Sequence, residues 1–188
     1  MDGSAKEFLT ALRKSEITKQ NKKRKYLKVL EKVELKHKEK TISLEPTELS
    51  FEVDFYLNYE NKIIGKQKNS INFHIDDLRD VIESRTFCLF EDIELIKKKG
   101  LAKGGSLDNA IVVDEHKVLN EGGLRNKNEF VNHKILDLAG DFLLSGYRVL
   151  GKVSCHQGGH ELTNKFLRKF LSLKSSYKIV EIEDIVIS

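Results

Sequence analysis

The sequence predicts an α+β fold, and two patterns of apolar residues support this prediction. Apolar and polar residues alternate strictly over residues 49–58, as in a β-strand with one buried face. Helical spacing marks residues 125–145 and 160–173, where apolar residues recur every three or four positions. The chain has 188 residues, a length that suits one domain, or a domain and a half, with a real hydrophobic core.

Composition and charge are those of an ordinary soluble protein. Hydrophobic residues make up 39% of the chain and charged residues 33%, with a net charge of +4. No apolar run approaches the ~18 residues that a membrane span requires, and residues 1–8 have no apolar core behind a basic start, as a signal peptide would. We therefore expect no transmembrane segment and a cytoplasmic location. The two cysteines, Cys88 and Cys155, form no C-x-x-C motif, so buried free thiols are expected rather than a disulfide framework.

The N-terminal segment predicts a short amphipathic helix followed by a linker. Phe8, Leu9 and Leu12 have helical spacing within residues 5–13, and a polar stretch follows at residues 14–24. The rest of the sequence offers this helix no obvious partner. We therefore expect it to pack on something upstream or on another chain.

A group of strands is predicted next. The strand-like segments are residues 26–35, 41–44, 49–58 and 70–75. They are interpreted as a meander with one buried face, and Pro46 lies between two of them as a turn residue does. Lysine and arginine are frequent over residues 19–40. A charged edge strand is favoured there over a phosphate or nucleic-acid site, because acidic and apolar residues interrupt the run.

The remaining elements alternate between helices and short strands. In chain order they are a helix over residues 76–84, a strand–helix–strand unit over residues 85–123 with its helix at 92–99, a strand at 152–156, a helix at 160–173 and a last strand or tail at 179–187. Gly100 follows the helix of the unit, as a C-terminal glycine does. The glycine turn at residues 104–106 can pass close to a ligand, but such turns before strands are routine.

One predicted helix, residues 125–145, carries a possible metal site. Glu129, His133, Asp137 and Asp141 recur every four residues on one side of it. Neighbours at this spacing have Cβ atoms roughly 5–6 Å apart, so the imidazole of His133 and the carboxylate of Asp137 can converge on one ion. A solvated polar face explains the same stripe, and a zinc site needs a third protein ligand. The spacing alone leaves both interpretations open.

His156 and His160 flank a pair of glycines at the point where the last helix begins. If His160 folds near Asp141, the two side chains have the features of a positioned acid. A capping or surface histidine is the alternative interpretation.

Three stretches from residue 85 onward share their order and spacing with a known enzyme family. They read RTFCLFEDIELIKKKGLAKGGSLDNAIVVDEHKVLNEGGLR (residues 85–125), NEFVNHKILDLAGD (128–141) and QGGHELTNK (157–165). Together they closely resemble the C-terminal domain of the zinc-dependent UDP-3-O-acyl-N-acetylglucosamine deacetylases, which catalyse the committed step of lipid A synthesis in Gram-negative bacteria. The similarity runs over most of the chain, and MDGSA at residues 1–5 resembles a segment near the end of that family's first domain.

The resemblance implies a two-domain enzyme built of paired two-layer β-α-α-β sandwiches, with the active site at their interface. Residues 1–20 would be the last helix of the first domain plus a linker, and residues 21–188 the second domain. The second domain would contain a βαβ insert at about residues 85–122. The missing first domain would be a partner, in cis or in trans.

The resemblance also implies roles for residues on and near the central helix. His133 and Asp137 match two of the family's three zinc ligands, and Lys134 matches a residue that meets the nucleotide's diphosphate. Asp141 and His160 match the catalytic pair in which a carboxylate orients an imidazolium, which stabilises the oxyanion and protonates the leaving amine.

Substrate contacts are implied for further positions. Thr86, grouped with the catalytic residues, and Phe87 match positions that line the reacting centre. The insert resembles one that forms a hydrophobic passage for the substrate's acyl chain. The residues that would face the lipid are Ile93, Ala102, Gly105, Ser106, Ala110 and Val112. Gln157 and Thr163 depart from the family, which often has a basic residue and an asparagine there.

The implied function is that of a zinc-dependent hydrolase that removes the N-acetyl group from UDP-3-O-(3-hydroxyacyl)-N-acetylglucosamine. In the family, the general base and the third zinc ligand are a Glu-His pair on a helix of the first domain, and this sequence does not contain that pair. We therefore expect the chain alone to bind zinc poorly and not to turn over.

Two alternatives stay open. The first is a non-catalytic domain that binds the nucleotide sugar or the acyl chain. The second is a basic β-α module that binds RNA, as the lysine-rich stretch allows, although the sequence shows no exposed aromatic pair on a strand for base stacking. We expect no nucleic-acid partner.

Overall fold

The computed structural model describes residues 2–98, 100, 104 and 106–182. Its helices are α1 (Lys6–Lys14), α2 (Arg79–Glu83), α3 (Ile93–Lys98), α4 (Glu129–Phe142) and α5 (His160–Ser172). Its strands are β1 (Arg24–Val29), β2 (Val33–His37), β3 (Lys40–Glu45), β4 (Phe51–Asn58), β5 (Lys66–Asn72), β6 (Phe87–Leu89), β7 (Ile111–Val113), β8 (Arg148–His156) and β9 (Tyr177–Ile182). The predicted α+β class is confirmed, because helices pack against a curled sheet. None of the described helices is long and apolar enough to cross a membrane.

Strand β8 is the centre of the main sheet. It pairs in parallel with β1 and β4 and antiparallel with β3, and β9, β5 and β2 extend the sheet beyond these neighbours. The predicted meander is therefore wrong: the hairpins β2–β3 and β4–β5 form, but β8 lies between them. Local alternation of residues cannot reveal this arrangement, because β8 comes from a distant part of the sequence.

Several predicted boundaries also shift. The single strand predicted over residues 26–35 is two strands, of which β1 pairs with β8 and β9 and β2 pairs with β3. The strand predicted at residues 70–75 is β5, whose polar side chains conceal its earlier start. The predicted last strand is β9, and the part of that prediction at residues 183–187 lies outside the described residues.

The hydrophobic core lies between the main sheet and helices α4 and α5. Two rows of buried side chains cross the inner face of β3, β8 and β4: Leu44, Val153 and Val53, and then Ile42, Cys155 and Phe55. The helices contribute the buried side chains of Val131, Ile135, Leu138, Phe142, Leu162, Phe166 and Phe170. Burying one side chain of this size stabilises the fold by about 1.5–3 kcal/mol. This layer therefore fixes the orientation of both helices, and with it the position of their polar faces.

The first residues of the chain are hydrogen-bonded to the segment that precedes β6. The N–H of Thr86 donates to the Asp2 carbonyl oxygen (3.2 Å), and the N–H of Ala5 donates to that of Ile82 (2.9 Å). Arg125 forms an ion pair with the Asp2 carboxylate at 2.5 Å. These contacts hold the N-terminal segment beside the residues that precede β6.

Helix α1 buries none of its side chains. Phe8 is 57% exposed and Leu12 is 58% exposed, although both belong to the apolar side expected from the sequence. The described part of the chain thus leaves this side open to solvent. That α1 packs on another domain or chain stays a prediction.

Candidate active site

His133 lies on α4 and is only 4% exposed. Its Nδ1 is 3.3 Å from the carbonyl oxygen of Ser84, in the segment between α2 and β6. A ring nitrogen that faces a carbonyl carries the proton, so the lone pair of the neutral ring lies on Nε2. That nitrogen is 3.4 Å from Oδ1 of Asp137, one helical turn further on. The ring is thereby oriented with its lone pair toward the carboxylate.

Burial also determines the charge of His133. Removal from water lowers the pKa of His133 below its ordinary value; the Asp137 carboxylate opposes this shift, and the Lys134 ammonium adds to it. The imidazole is therefore neutral at pH 7. Neutral imidazole is the form in which histidine binds metal ions.

Asp137 is the carboxylate on which the basic groups of this region converge. Lys134 Nζ is 2.7 Å from its Oδ2, and His160 Nε2 is 3.9 Å from the same oxygen. Its other oxygen faces His133. Asp137 therefore links two positions of α4 with the first residue of α5.

His160 begins α5, and its ring reaches across to α4. Nδ1 of the ring lies 3.0 and 2.9 Å from the two carboxylate oxygens of Asp141. Because a carboxylate only accepts hydrogen bonds, Nδ1 carries a proton in this contact. The side chain is nevertheless 68% exposed. The structure thus brings His160 to Asp141, the contact on which the positioned-acid interpretation depends.

Sequence reasoning missed the role of Glu129, the first residue of the polar stripe. Its side chain is 0% exposed and accepts hydrogen bonds from Arg85 Nε (2.8 Å) and from the backbone N–H of Arg125 (2.6 Å). Burial alone would raise the pKa of Glu129, but these hydrogen bonds outweigh it and hold the pKa below its ordinary value. The pair fixes the residue after Ser84 to the start of α4. No local pattern signals it, since Arg85 and Glu129 lie 44 positions apart.

Phe87 covers one side of His133. The rings meet edge-on, with centroids 6.4 Å apart and an interplanar angle of 76°. Phe87 also packs edge-on against Phe130, at 5.0 Å between centroids. Thr86, the residue before it, is held through its main chain, because its carbonyl oxygen accepts from the N–H of Ile111 at 2.7 Å. The predicted reacting-centre residues are therefore anchored, with Phe87 in contact with the histidine.

A family model described as UDP-3-O-acyl N-acetylglycosamine deacetylase matches residues 1–172 of the chain. The chain belongs to this family. The resemblance noted from the three sequence stretches is thus confirmed.

Curated relatives named UDP-3-O-acyl-N-acetylglucosamine deacetylase share more than a third of the aligned residues with this member of the deacetylase family. The protein from Pseudoalteromonas translucida is 39% identical over 95% of this chain and 59% of its own length. The proteins from Haemophilus ducreyi and Haemophilus influenzae are 36% and 38% identical, each over 98% of this chain and 61% of its own length. The chain therefore spans about 60% of the length of these relatives.

The donor groups on α4 fit the zinc ion implied by the deacetylase family. Imidazole nitrogen and carboxylate oxygen are both zinc ligands. The Ser84 carbonyl opposite Nδ1 of His133 is the arrangement that orients metal-bound histidines. Within residues 2–98, 100, 104 and 106–182, no group of three or more His, Cys, Asp and Glu side chains is placed to hold a metal ion. His133 and Asp137 therefore offer two donors, whereas a catalytic zinc site uses three from protein.

The residues predicted to line an acyl passage have different environments. Val112 is buried, Ile93 and Ala110 are half-buried, and Ser106 is exposed. Val112 lies on β7, which pairs in parallel with β6. Ala102 and Gly105 lie outside the described residues. The passage therefore stays a prediction.

The outer face of the sheet carries an aromatic pair that the sequence did not reveal. The rings of Tyr56 on β4 and His156 on β8 stack with centroids 4.2 Å apart and an interplanar angle of 6°. Lys68 Nζ lies 5.0 Å from the centre of the Tyr56 ring. Gln157 accepts a hydrogen bond from the backbone N–H of Asn58 (2.8 Å). The two rings occupy paired positions on different strands, so neither strand alone predicts them.

Proposed function

We propose that this chain is part of a zinc-dependent deacetylase that removes the N-acetyl group from UDP-3-O-(3-hydroxyacyl)-N-acetylglucosamine in lipid A biosynthesis. The observation that carries this proposal is the convergence of His133 and His160 on Asp137. Family membership and the names of the relatives support the choice of substrate.

His133, through Nε2, and Asp137 would hold the zinc ion. When bound, zinc supplies the Lewis acidity that hydrolysis of an unactivated amide needs. The chain contributes preorganisation, because the Ser84 carbonyl orients the His133 ring and burial keeps that ring neutral. Little reorganisation is then required before both donors face one ion.

His160 would act on the oxygen and nitrogen of the acetamide. Asp141 holds Nδ1, so the Nε2–H of the protonated ring is directed into the space beside Asp137. That N–H stabilises the negative charge that develops on the acetamide oxygen. Once water has added to the acetamide carbon, the ring transfers its proton to the nitrogen, so that the C–N bond breaks to give acetate and a free amine.

Lys134 would contact the diphosphate of the nucleotide. Its ammonium lies 2.7 Å from Asp137 Oδ2, and its side chain is 17% exposed. A phosphate oxygen beside Lys134 competes for the same ammonium, since both are anionic acceptors. Substrate binding would thereby release the Asp137 carboxylate for the metal ion.

A third zinc ligand and the general base would come from a preceding domain, in the same chain or a separate one. Two donors from one helix hold zinc only weakly. The exposed apolar side of α1 supplies a surface on which such a domain can pack. The chain alone would then bind little zinc and not turn over.

The test compares the chain alone with the chain joined, at its N-terminus, to the part of the Pseudoalteromonas translucida relative that it does not cover. Zinc per molecule is measured by mass spectrometry, and hydrolysis by acetate release. We expect about one zinc ion and turnover for the joined protein, and little zinc and no turnover for the chain alone.

Two results would contradict the proposal. Turnover by the chain alone would show that no outside ligand or base is needed. A joined protein that folds and binds the nucleotide sugar, but neither retains zinc nor releases acetate, would indicate a binding domain instead of an enzyme.

A further inference from the structure

A pocket with a volume of about 380 Å³ lies on a different face of α4 from His133 and Asp137. This size falls within the range of small-molecule sites, roughly 300–1,000 Å³. Leu136 and Ala139 of α4 form one wall. The opposite wall comes from residues at the ends of β4, β5 and β8. We refer to it as the α4 side pocket.

The floor of the α4 side pocket is aromatic. The Phe51 ring lies 5.3 Å from the Phe73 ring and 5.7 Å from the Phe142 ring, measured between centroids. Phe142 is buried in the core, whereas Phe51 and Phe73 are half-buried and keep part of their surface toward the pocket. Water in contact with these rings is displaced favourably by an alkyl chain.

The polar side chains at the pocket are His74 and Arg148. Nδ1 of His74 accepts a hydrogen bond from the backbone N–H of Phe51 at 3.1 Å, so the neutral ring carries its proton on Nε2. Burial and the positive charge of Arg148 both lower the pKa of His74. No acidic residue lines the pocket within the described part of the chain. An anion placed there therefore meets an N–H donor and a guanidinium without a competing carboxylate.

We propose that the α4 side pocket binds a fatty acid, with its alkyl chain on Phe51, Phe73 and Phe142 and its carboxylate on Arg148 and the Nε2–H of His74. Arginine binds a carboxylate through two parallel N–H groups, which favours this head group over a neutral one. The proposal does not depend on the deacetylase chemistry, because none of these residues belongs to the catalytic cluster.

Isothermal titration calorimetry of the 188-residue chain with dodecanoate tests the proposal, with dodecanol as the neutral probe. We expect one dodecanoate per chain and weaker binding of dodecanol. Arg148→Met should weaken dodecanoate binding about 10- to 100-fold, because a charge-assisted contact is lost. Ala139→Leu should weaken both probes by filling the pocket. Arg168→Met, an exposed arginine on α5 that bonds Asn164, is the matched control and should leave the affinity unchanged.

Amide chemical shifts of the unmodified chain locate the binding without relying on variants. Dodecanoate should shift the amides of His74, Ala139 and Arg148. Shifts confined to Ile93 and Val112 would place the ligand at the predicted acyl passage and overturn the proposal. Absence of binding, or equal affinity for dodecanol and dodecanoate, would overturn it as well.

Discussion

The polar stripe of helix α4 begins with Glu129 and ends with Asp141. These two carboxylates differ in their hydrogen-bond partners and in how far those partners are exposed. At its start, Glu129 is 0% exposed and bonded to Arg85 and the backbone of Arg125. Near its end, Asp141 bonds a ring, that of His160, which is 68% exposed. The two carboxylates lie on one helix at the same four-residue spacing, but one is buried against an arginine and the other contacts an exposed imidazole. The helical repeat determines on which side of α4 a carboxylate lies. The residues from other elements that contact this carboxylate determine its role.

The largest expected effect comes from removing His160, the exposed partner of Asp141. His160→Ala in the joined protein should lower kcat about 10²- to 10⁴-fold, because the leaving nitrogen loses its proton donor. Acetate release measures the rate, and stability should change little since the ring is exposed. Glu161→Gln, the adjacent exposed position, is the control. A decrease in kcat of less than about tenfold would contradict the role of His160 as the proton donor.

Removal of the buried carboxylate should act on stability instead of rate. Glu129→Gln should lower the free energy of unfolding by about 3 kcal/mol, because Arg85 is left without its anionic partner in a dry environment. Urea unfolding at pH 7 measures this change. The kcat of the folded joined protein should be nearly unchanged. If kcat fell as far as in His160→Ala while stability did not change, the contrast between the two ends of the stripe would be wrong.

The same pair should make stability depend on pH. The pKa of Glu129 is lower in the folded chain than its ordinary value of 4.5. Its contribution is therefore fully present above about pH 4.5 and is lost as pH falls through the folded-state pKa. The stability difference between the unmodified chain and Glu129→Gln should shrink in acid. Urea unfolding midpoints between pH 3 and pH 7 check this, and a difference that grows in acid would contradict it.

The smallest expected effect concerns the cation that competes for Asp137. Lys134→Met removes an ammonium 2.7 Å from Oδ2 and should raise the zinc affinity of the chain about two- to fivefold, the scale of a partly exposed ion pair. Calorimetric titration with zinc measures it. A lower affinity in the variant would mean that Lys134 supports the donors instead of competing with them.

Local patterns predicted the helical parts of this molecule well. The apolar side of α4 and the four-residue spacing of its polar stripe are both properties of one segment, and the spacing placed His133 and Asp137 one turn apart. The residues alone did not predict whether His160 approaches Asp141, because this contact depends on how α5 packs.

Contacts between distant segments were not predictable in this way. The insertion of β8 between β3 and β4 depends on pairing between distant segments, antiparallel with β3 and parallel with β4, and such pairing leaves no local signal. The Arg85–Glu129 pair and the orientation of His133 by a backbone carbonyl depend on the same segment before β6. Every residue has a backbone carbonyl group, so the sequence cannot indicate which carbonyl orients a histidine. The sequence therefore indicated the chemical groups of the site, but it did not indicate the contacts that hold these groups in place.

The most direct test of the metal assignment is a zinc titration of the chain followed by the ring ¹⁵N resonances of its 6 histidines. We predict that His133 Nδ1 carries a proton throughout and that zinc shifts the Nε2 resonance of His133, which accompanies coordination at that nitrogen. Substituting Asp137→Asn should abolish this shift, whereas Glu129→Gln should preserve it. Zinc that perturbs only exposed rings such as those of His116 and His156, and leaves Nε2 of His133 unchanged, would contradict the assignment.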